Sequence, residues 1–116
     1  MNKAYEIAKK YSEPELLKKF NALPEKLRAV ILAPESSDVL KAIAKSNNIT
    51  GDMNFKKLRR YTTLILAGIV PITMFRQTLE DELRIDEDNA RKIAIEVRDK
   101  IFMRVKDELR KLHKLE

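Results

Sequence analysis

The side chains best suited to covalent or metal chemistry are almost missing from this sequence. The chain of 116 residues has no cysteine and a single histidine, His113. Without cysteine it can form neither a disulfide nor a thiolate metal site, and it has no cysteine nucleophile. One imidazole gives a Ser-His-Asp triad or a histidine metal site very little to build on. We therefore expect no enzymatic activity, no catalytic or cofactor-binding residue, and no metal site.

Carboxylates are concentrated in two short runs, Glu80-Asp81-Glu82 and Asp86-Glu87-Asp88. A calcium-binding loop is one interpretation of these runs. Counted from Asp86, however, the loop position that requires glycine holds Arg91, and the position that requires a bidentate glutamate holds Val97. The second run is more typical of a helix start, with Asp86 as the N-cap and the next two acids near the positive end of the helix dipole.

Basic residues are concentrated in the first half of the chain, where residues 1–60 carry thirteen Lys or Arg against seven Asp or Glu. Four cations in one and a half turns of a predicted helix could grip nucleic-acid phosphates in a salt-dependent way. A solvated helix face is the simpler interpretation, because the run lacks the interleaved aromatic side chains that stack on bases. The possible nucleic-acid-binding residues are this run and two lysines of the preceding helix: Lys56, Lys57, Arg59, Arg60, Lys41 and Lys45.

A helix-turn-helix can be drawn over residues 38–66, with Ala44 and Ile49 at its small and apolar positions. It fits poorly, because Asn54 and Lys57 stand where apolar side chains should pack between the helices. An inserted loop residue would bring Phe55 and Leu58 into line. The motif is therefore weak but stays open.

A second candidate surface lies on the last predicted helix. Ile95 and Phe102 share a flank about 100° from the centre of the apolar stripe of that helix, and Met103 lies beside them. Other helices cover this flank as ordinary core, or it is exposed and binds a partner helix or a second copy of the chain. The predicted partner-binding residues are Ile95, Phe102 and Met103, with the basic and acidic runs setting orientation.

Apolar residues recur at helical spacing along nearly the whole chain, and short turns separate the periodic segments. Ser12 and Glu15 have the spacing of a capping box at the start of a second helix. The Ala33-Pro34 pair is predicted to stop a third helix, and Ser36 or Ser37 to cap a fourth. A fifth helix, from about Asn54, becomes apolar all round, as a central helix does.

The segment from residue 87 to residue 112 contains neither glycine nor proline. It is predicted to be one continuous helix, roughly 40 Å long at 1.5 Å per residue. Because the radius of gyration expected for a domain of this size is about 13 Å, we expect its C-terminal end to project.

The sequence thus predicts an all-α fold, a single compact bundle of six or seven helices with a long C-terminal helix. One helical domain is expected over residues 1–116, with residues 1–22 as an N-terminal helical extension and residues 23–113 as the core bundle. The longest apolar run, residues 64–75, is short of the roughly 20 residues that span a bilayer, and it is predicted to be core. The first residues lack the apolar region of a signal peptide, so a cytoplasmic location is expected.

Most of residues 23–113 resembles a small uncharacterised helical domain that recurs in hypothetical proteins of the candidate phyla radiation bacteria. The resemblance rests on Leu23-Pro24-Glu25-Lys26-Leu27, on residues 64–75, on residues 83–94 and on residues 100–109. It implies a docking module, often at one end of a longer protein with a low-complexity remainder. The first twenty residues, the absence of a low-complexity tail and the basic residues 56–60 depart from that pattern.

Together these observations favour a non-enzymatic helical module for protein–protein interaction or docking. Its expected partner is another protein or a second copy of the chain, with no membrane and no small-molecule substrate. Binding of nucleic acid through the basic 56–60 run is the alternative.

Overall fold

The computed structural model describes residues 3–113, and in that range it contains only helices and turns. The start predicted for the first helix, Asn2, lies outside the described residues. The α-helices are α1 (Lys3–Lys9), α2 (Glu13–Asn21), α3 (Glu25–Leu32), α4 (Pro34–Ser46), α5 (Asp52–Leu66), α6 (Phe75–Leu83), α7 (Glu87–Lys100) and α8 (Lys106–Leu112), with two 3₁₀ turns, Ile72–Met74 and Phe102–Val105. The all-α prediction is confirmed, and the count of six or seven is low because the last predicted helix is two helices.

Helix α5 is the centre of the bundle. It buries more large side chains than its neighbours, and it packs against α3, α4 and α6, while α7 packs across α6 and α4. The predicted apolar face of α5 is confirmed, since Leu58 and Ile65 are fully buried. The N-terminal extension joins the same core, because Ala4 and Ala8 of α1 are buried against it.

Two predicted helix starts are confirmed by their capping contacts. The Ser12 hydroxyl accepts a hydrogen bond from the Glu15 amide, and the Glu15 carboxylate accepts one from the Ser12 amide, which completes the capping box. The Glu15 carboxyl has a lowered pKa because the Ser12 amide and hydroxyl donate to it. The Asp86 carboxylate accepts from the Asn89 amide at 2.8 Å and begins α7.

The predicted cap of α4 is wrong. Helix α4 begins at Pro34, with Ala33 as its N-cap, because proline has no amide hydrogen to leave unpaired in a first turn. The Ser36 hydroxyl instead donates to the Val30 carbonyl of α3 at 2.6 Å, and so it ties the end of one helix to the start of the next.

The predicted long C-terminal helix is also wrong. Helix α7 ends at Lys100, Ile101 adopts φ −120° and ψ −59°, and a 3₁₀ turn leads into α8. With this break, Phe102, which lies off the apolar stripe of a straight helix, is buried in the core together with Val105. The protein measures 34 × 29 × 29 Å, and within residues 3–113 the C-terminal segment does not project as the continuous helix was expected to do.

The break folds α8 back over the C-terminal end of α5. Gly68, just after α5, has φ +76°, and a Cβ placed on it would lie 2.7 Å from the Leu112 Cγ atom. The His113 Nε2 atom lies 2.8 Å from the Ile65 carbonyl oxygen and donates to it. The last helix is therefore fastened at its end by a close contact on a glycine and by a hydrogen bond to an α5 carbonyl.

Candidate functional site

Two adjoining hollows open on the surface where α7, its following 3₁₀ turn and α8 meet Ile72. Their volumes are about 200 and 190 Å³, and Ile72, Arg98 and Phe102 line both. Ala94 and Ile95 of α7 complete the first hollow on its apolar side, with Phe75 at its base. Met103 and Leu109 complete the second. The two hollows form one continuous apolar groove, called here the Phe102 groove.

The three predicted partner-binding residues come together in this groove, but in different roles. Ile95 and Met103 are 41% and 49% exposed and stand on its rim. Phe102 is 3% exposed, and its ring packs on the ring of Phe75 with 5.6 Å between centroids. Of the two alternatives for this flank, Phe102 is covered as core, because the helix break turns its side chain inward and makes it the floor, whereas Ile95 is exposed.

Basic side chains border the Phe102 groove along its length. Arg76 and Arg91 border the Ile95 end, Arg98 lies between the hollows, and Lys106 and Arg110 border the Met103 end. The sequence pattern had singled out none of these five. A signal was present, since Arg91 and Arg98 are seven residues apart, as are Ile95 and Phe102, which is two helical turns. Ile72 and Phe75 carried no such signal, because only the fold brings them to this helix.

The residues predicted to bind nucleic acid lie on α4 and α5, and the structure divides the run on α5. Lys41, Lys45, Lys56, Arg59 and Arg60 are exposed. Lys57 is partly buried, and its ammonium donates to the Glu82 carbonyl of α6 at 3.2 Å. Arg59 lines a separate hollow of about 170 Å³ beside α3 and α4. Lys57 is thus turned toward α6, whereas Lys56, Arg59 and Arg60, at i, i+3 and i+4, share one exposed face of α5.

The turn between α4 and α5 bears on the helix-turn-helix alternative. Phe55 packs partly buried against the core, and Leu58 is fully buried, as the version with an inserted loop residue requires. Gly51 opens α5 with φ +89°, in a five-residue connection after Ser46. The packing positions are therefore apolar, although the weak motif itself stays a prediction.

Tyr61 directly follows the basic residues 56–60 on α5. Among the described residues, it makes the one hydrogen bond between a side chain of α5 and a side chain of α6. Tyr61 is 1% exposed, and its hydroxyl donates to the Glu82 carboxylate at 2.9 Å. Burial raises the pKa of the Tyr61 hydroxyl well above its ordinary value, and the hydrogen bond to Glu82 raises it further. This contact joins the acidic run to the core.

Replacing Tyr61 by phenylalanine is expected to cost about 1 kcal/mol of unfolding free energy at neutral pH. Because folding raises the pKa of this hydroxyl, its contribution is complete below the unfolded value of about 10 and declines as the pH rises above that value. In urea titrations, the difference in unfolding free energy between wild type and Tyr61→Phe should therefore decrease above about pH 10. The control variant Tyr11→Phe keeps the Tyr61 hydrogen bond, so its unfolding free energy should fall with pH as that of the wild type does. A difference between wild type and Tyr61→Phe that stays constant with pH would contradict the prediction.

The acidic runs serve caps and ion pairs. Glu80 pairs with Arg76, and Glu87 pairs with Arg91 at 2.7 Å, each one turn along its helix. Asp81 accepts from Gln77 at 3.0 Å. Within residues 3–113, no group of three or more acidic or histidine side chains is arranged to hold a metal ion. Capping and surface pairing, weighed above against a calcium loop, are what these carboxylates do.

A further hollow of about 480 Å³ is lined by residues of α1, of α6 and of the 3₁₀ turn that precedes α6. Its polar lining includes Lys3, Gln77, Thr78 and Asp81. The Thr78 hydroxyl already donates to the Met74 carbonyl at 2.7 Å, and Asp81 is held by Gln77. Thr78, Gln77 and Asp81 are thus each engaged in a hydrogen bond within or next to α6.

Comparisons of the chain with protein-family models, with curated proteins and with solved structures give no match. The resemblance to the small helical domain described above stays a prediction. Among the helices of residues 3–113, none is both long enough and apolar enough to cross a bilayer.

Proposed function

We propose that this chain is a non-enzymatic docking module that binds another protein through the Phe102 groove. The observation that carries the proposal is the juxtaposition of two half-exposed apolar side chains, Ile95 and Met103, over a floor formed by buried Phe102. Apolar side chains that stand beside an open groove gain by being covered, and residues of this kind become the centre of an interface.

The dimensions of the groove favour side chains of a protein partner over a free small molecule. Cavities that enclose a drug-sized ligand or a cofactor usually have about 300–1,000 Å³ and bury most of its surface. The Phe102 groove is divided into two hollows of about 200 and 190 Å³, and both are open to solvent rather than enclosing. Two small adjoining hollows suit two side chains that project from one backbone.

The cytoplasm remains the expected location of the protein.

Recovery of partners from the cells of origin, with matched variants of the tagged chain, tests the proposal. We expect proteins enriched by the wild type to be lost with Met103→Glu, because burying a carboxylate in an apolar contact costs several kcal/mol. Met53→Glu is the matched control, since Met53 is 67% exposed and lies on α5 away from the groove. It should recover the same proteins as the wild type.

Two outcomes would contradict the proposal. Recovery that is the same with Met103→Glu and Met53→Glu would show that the groove is not the binding surface. Recovery that depends on nucleic acid, and that nuclease treatment abolishes for all variants alike, would favour the basic residues of α4 and α5 instead.

A further inference from the structure

The charged side chains that line the Phe102 groove are all cationic. Five cationic side chains line its two hollows, and within the described part of the chain no carboxylate lines either: the cations are Arg76, Arg91, Arg98, Lys106 and Arg110. An apolar floor with a basic border is complementary to a ligand that has an apolar face and acidic flanks.

This positive charge is not balanced equally along the groove. At the Ile95 end, Arg76 and Arg91 pair with carboxylates of α6 and α7. Arg98 pairs with its neighbour Asp99 at 3.0 Å. At the Met103 end, neither Lys106 nor Arg110 has a carboxylate within ion-pair distance among residues 3–113. Within residues 3–113, the cations of the groove that form no ion pair thus lie beside Met103 and Leu109, on a helix that also carries Asp107 and Glu108.

We infer that the occupant of the Phe102 groove is an acidic amphipathic helix of another protein, an inference that rests on the proposed function. Recognition of a helix in a groove uses apolar side chains at i, i+3 or i+4, and i+7. Residues i and i+7 of a helix are about 10 Å apart, the same rise that separates Arg91 from Arg98 on α7. Acidic residues beside those anchors would face Lys106 and Arg110.

A second copy of this chain fits the groove less well. The chain carries a formal net charge of +6, so two copies repel each other at long range. The acidic runs of residues 80–88 could attract the groove of a second copy, but Glu80 and Glu87 are already paired within their own chain. A different protein with an acidic surface therefore complements the groove better than a second copy does.

Binding of three synthetic peptides of about 18 residues, measured by fluorescence anisotropy, tests this inference. The first has leucine at i, i+3, i+4 and i+7 with glutamate elsewhere, the second has the same composition in scrambled order, and the third has lysine in place of glutamate. We expect the first to bind at least about tenfold more tightly than the other two, with affinity that falls between about 50 and 200 mM salt.

Matched double variants locate the contact. The test variant is Lys106→Glu/Arg110→Glu, in which the two replaced residues are one turn apart on α8. The control is Lys41→Glu/Lys45→Glu, which makes the same change of charge at two positions one turn apart on α4. We expect the α8 double variant and Met103→Glu each to weaken the acidic peptide about tenfold, and the α4 double variant and Met53→Glu to leave it unchanged. Circular dichroism melts establish that each variant is folded.

The outcomes separate this inference from the proposed function. If the Met103→Glu variant loses its cellular partner while the three peptides bind equally, the proposed docking function is supported and the inference of an acidic helix as the occupant is wrong. If the acidic peptide binds equally to wild type and Met103→Glu, the groove itself is wrong. Dimers that form with rising concentration and that Met103→Glu abolishes would contradict the inference and show that the occupant is a second copy of the chain. Tighter binding of anionic vesicles or oligonucleotides than of the peptide would also contradict it and show that those ligands are the occupants.

Discussion

Replacing Phe102 by alanine is expected to lower the unfolding free energy by about 3–5 kcal/mol, the range for emptying a buried aromatic site. Phe102 is 3% exposed, its ring packs on Phe75, and it sits at the break that brings α8 back onto the bundle. The cavity would therefore remove contacts from the core and from the turn at once. In a domain of this size we expect the melting temperature to fall by at least about 10 °C.

Met103→Ala is the control for Phe102→Ala, since Met103 is the next residue along the chain and half-exposed. Its effect on the unfolding free energy should stay within about 0.5 kcal/mol. Urea titration of both variants gives the comparison. A loss below about 1 kcal/mol for Phe102→Ala would mean that the ring is on the surface, and it would contradict the observed break.

Replacing Gly68 by alanine is expected to cost about 2–3 kcal/mol of unfolding free energy. Part of this cost is the left-handed backbone at φ +76°, which an alanine adopts at about 1–2 kcal/mol. The rest comes from the new Cβ, which would lie within 3 Å of Leu112 and would push α8 away from the end of α5. Thermal and urea unfolding measure the total.

Gly51→Ala separates the two contributions to the Gly68→Ala cost. Gly51 has φ +89°, but a Cβ placed there meets no atom within 4 Å, so only the backbone cost of about 1–2 kcal/mol is expected. Combining Gly68→Ala with Leu112→Ala should recover part of the loss, since the smaller side chain makes room for the Cβ. Equal costs at both glycines and strict additivity with Leu112→Ala would show that α8 does not rest on Gly68.

Local signals in the sequence predicted much of the helical framework. The capping box at Ser12, the acid at Asp86 and the apolar all-round pattern of α5 each depend on residues close together in the chain, and each is confirmed. The cap of α4 was wrong because two local signals competed there. Proline at the first helical position prevailed over serine as a cap, and the Ser36 hydroxyl found a carbonyl on the preceding helix.

The break after α7 was not predictable from residues 87–112 alone. Nothing in that segment disfavours a helix locally, since it lacks both glycine and proline. Tertiary contacts with residues outside this segment favour the break. The Phe102 ring packs on Phe75 of α6, and Leu112 packs against Gly68. The candidate site follows the same division, because Ile95 and Met103 were visible as apolar residues off the stripe, whereas Ile72 reached the groove only through the fold.

Phe102 belongs both to the floor of the groove and to the core, and this constrains which residues of the groove can change during evolution. Ile95, Met103, Lys106 and Arg110 are exposed, so replacing them costs the fold little. If the groove binds a partner as proposed, these border positions can change during evolution and alter which partner is bound, while Phe102 stays fixed because the core needs it. The proposed binding specificity could then change without loss of the native state.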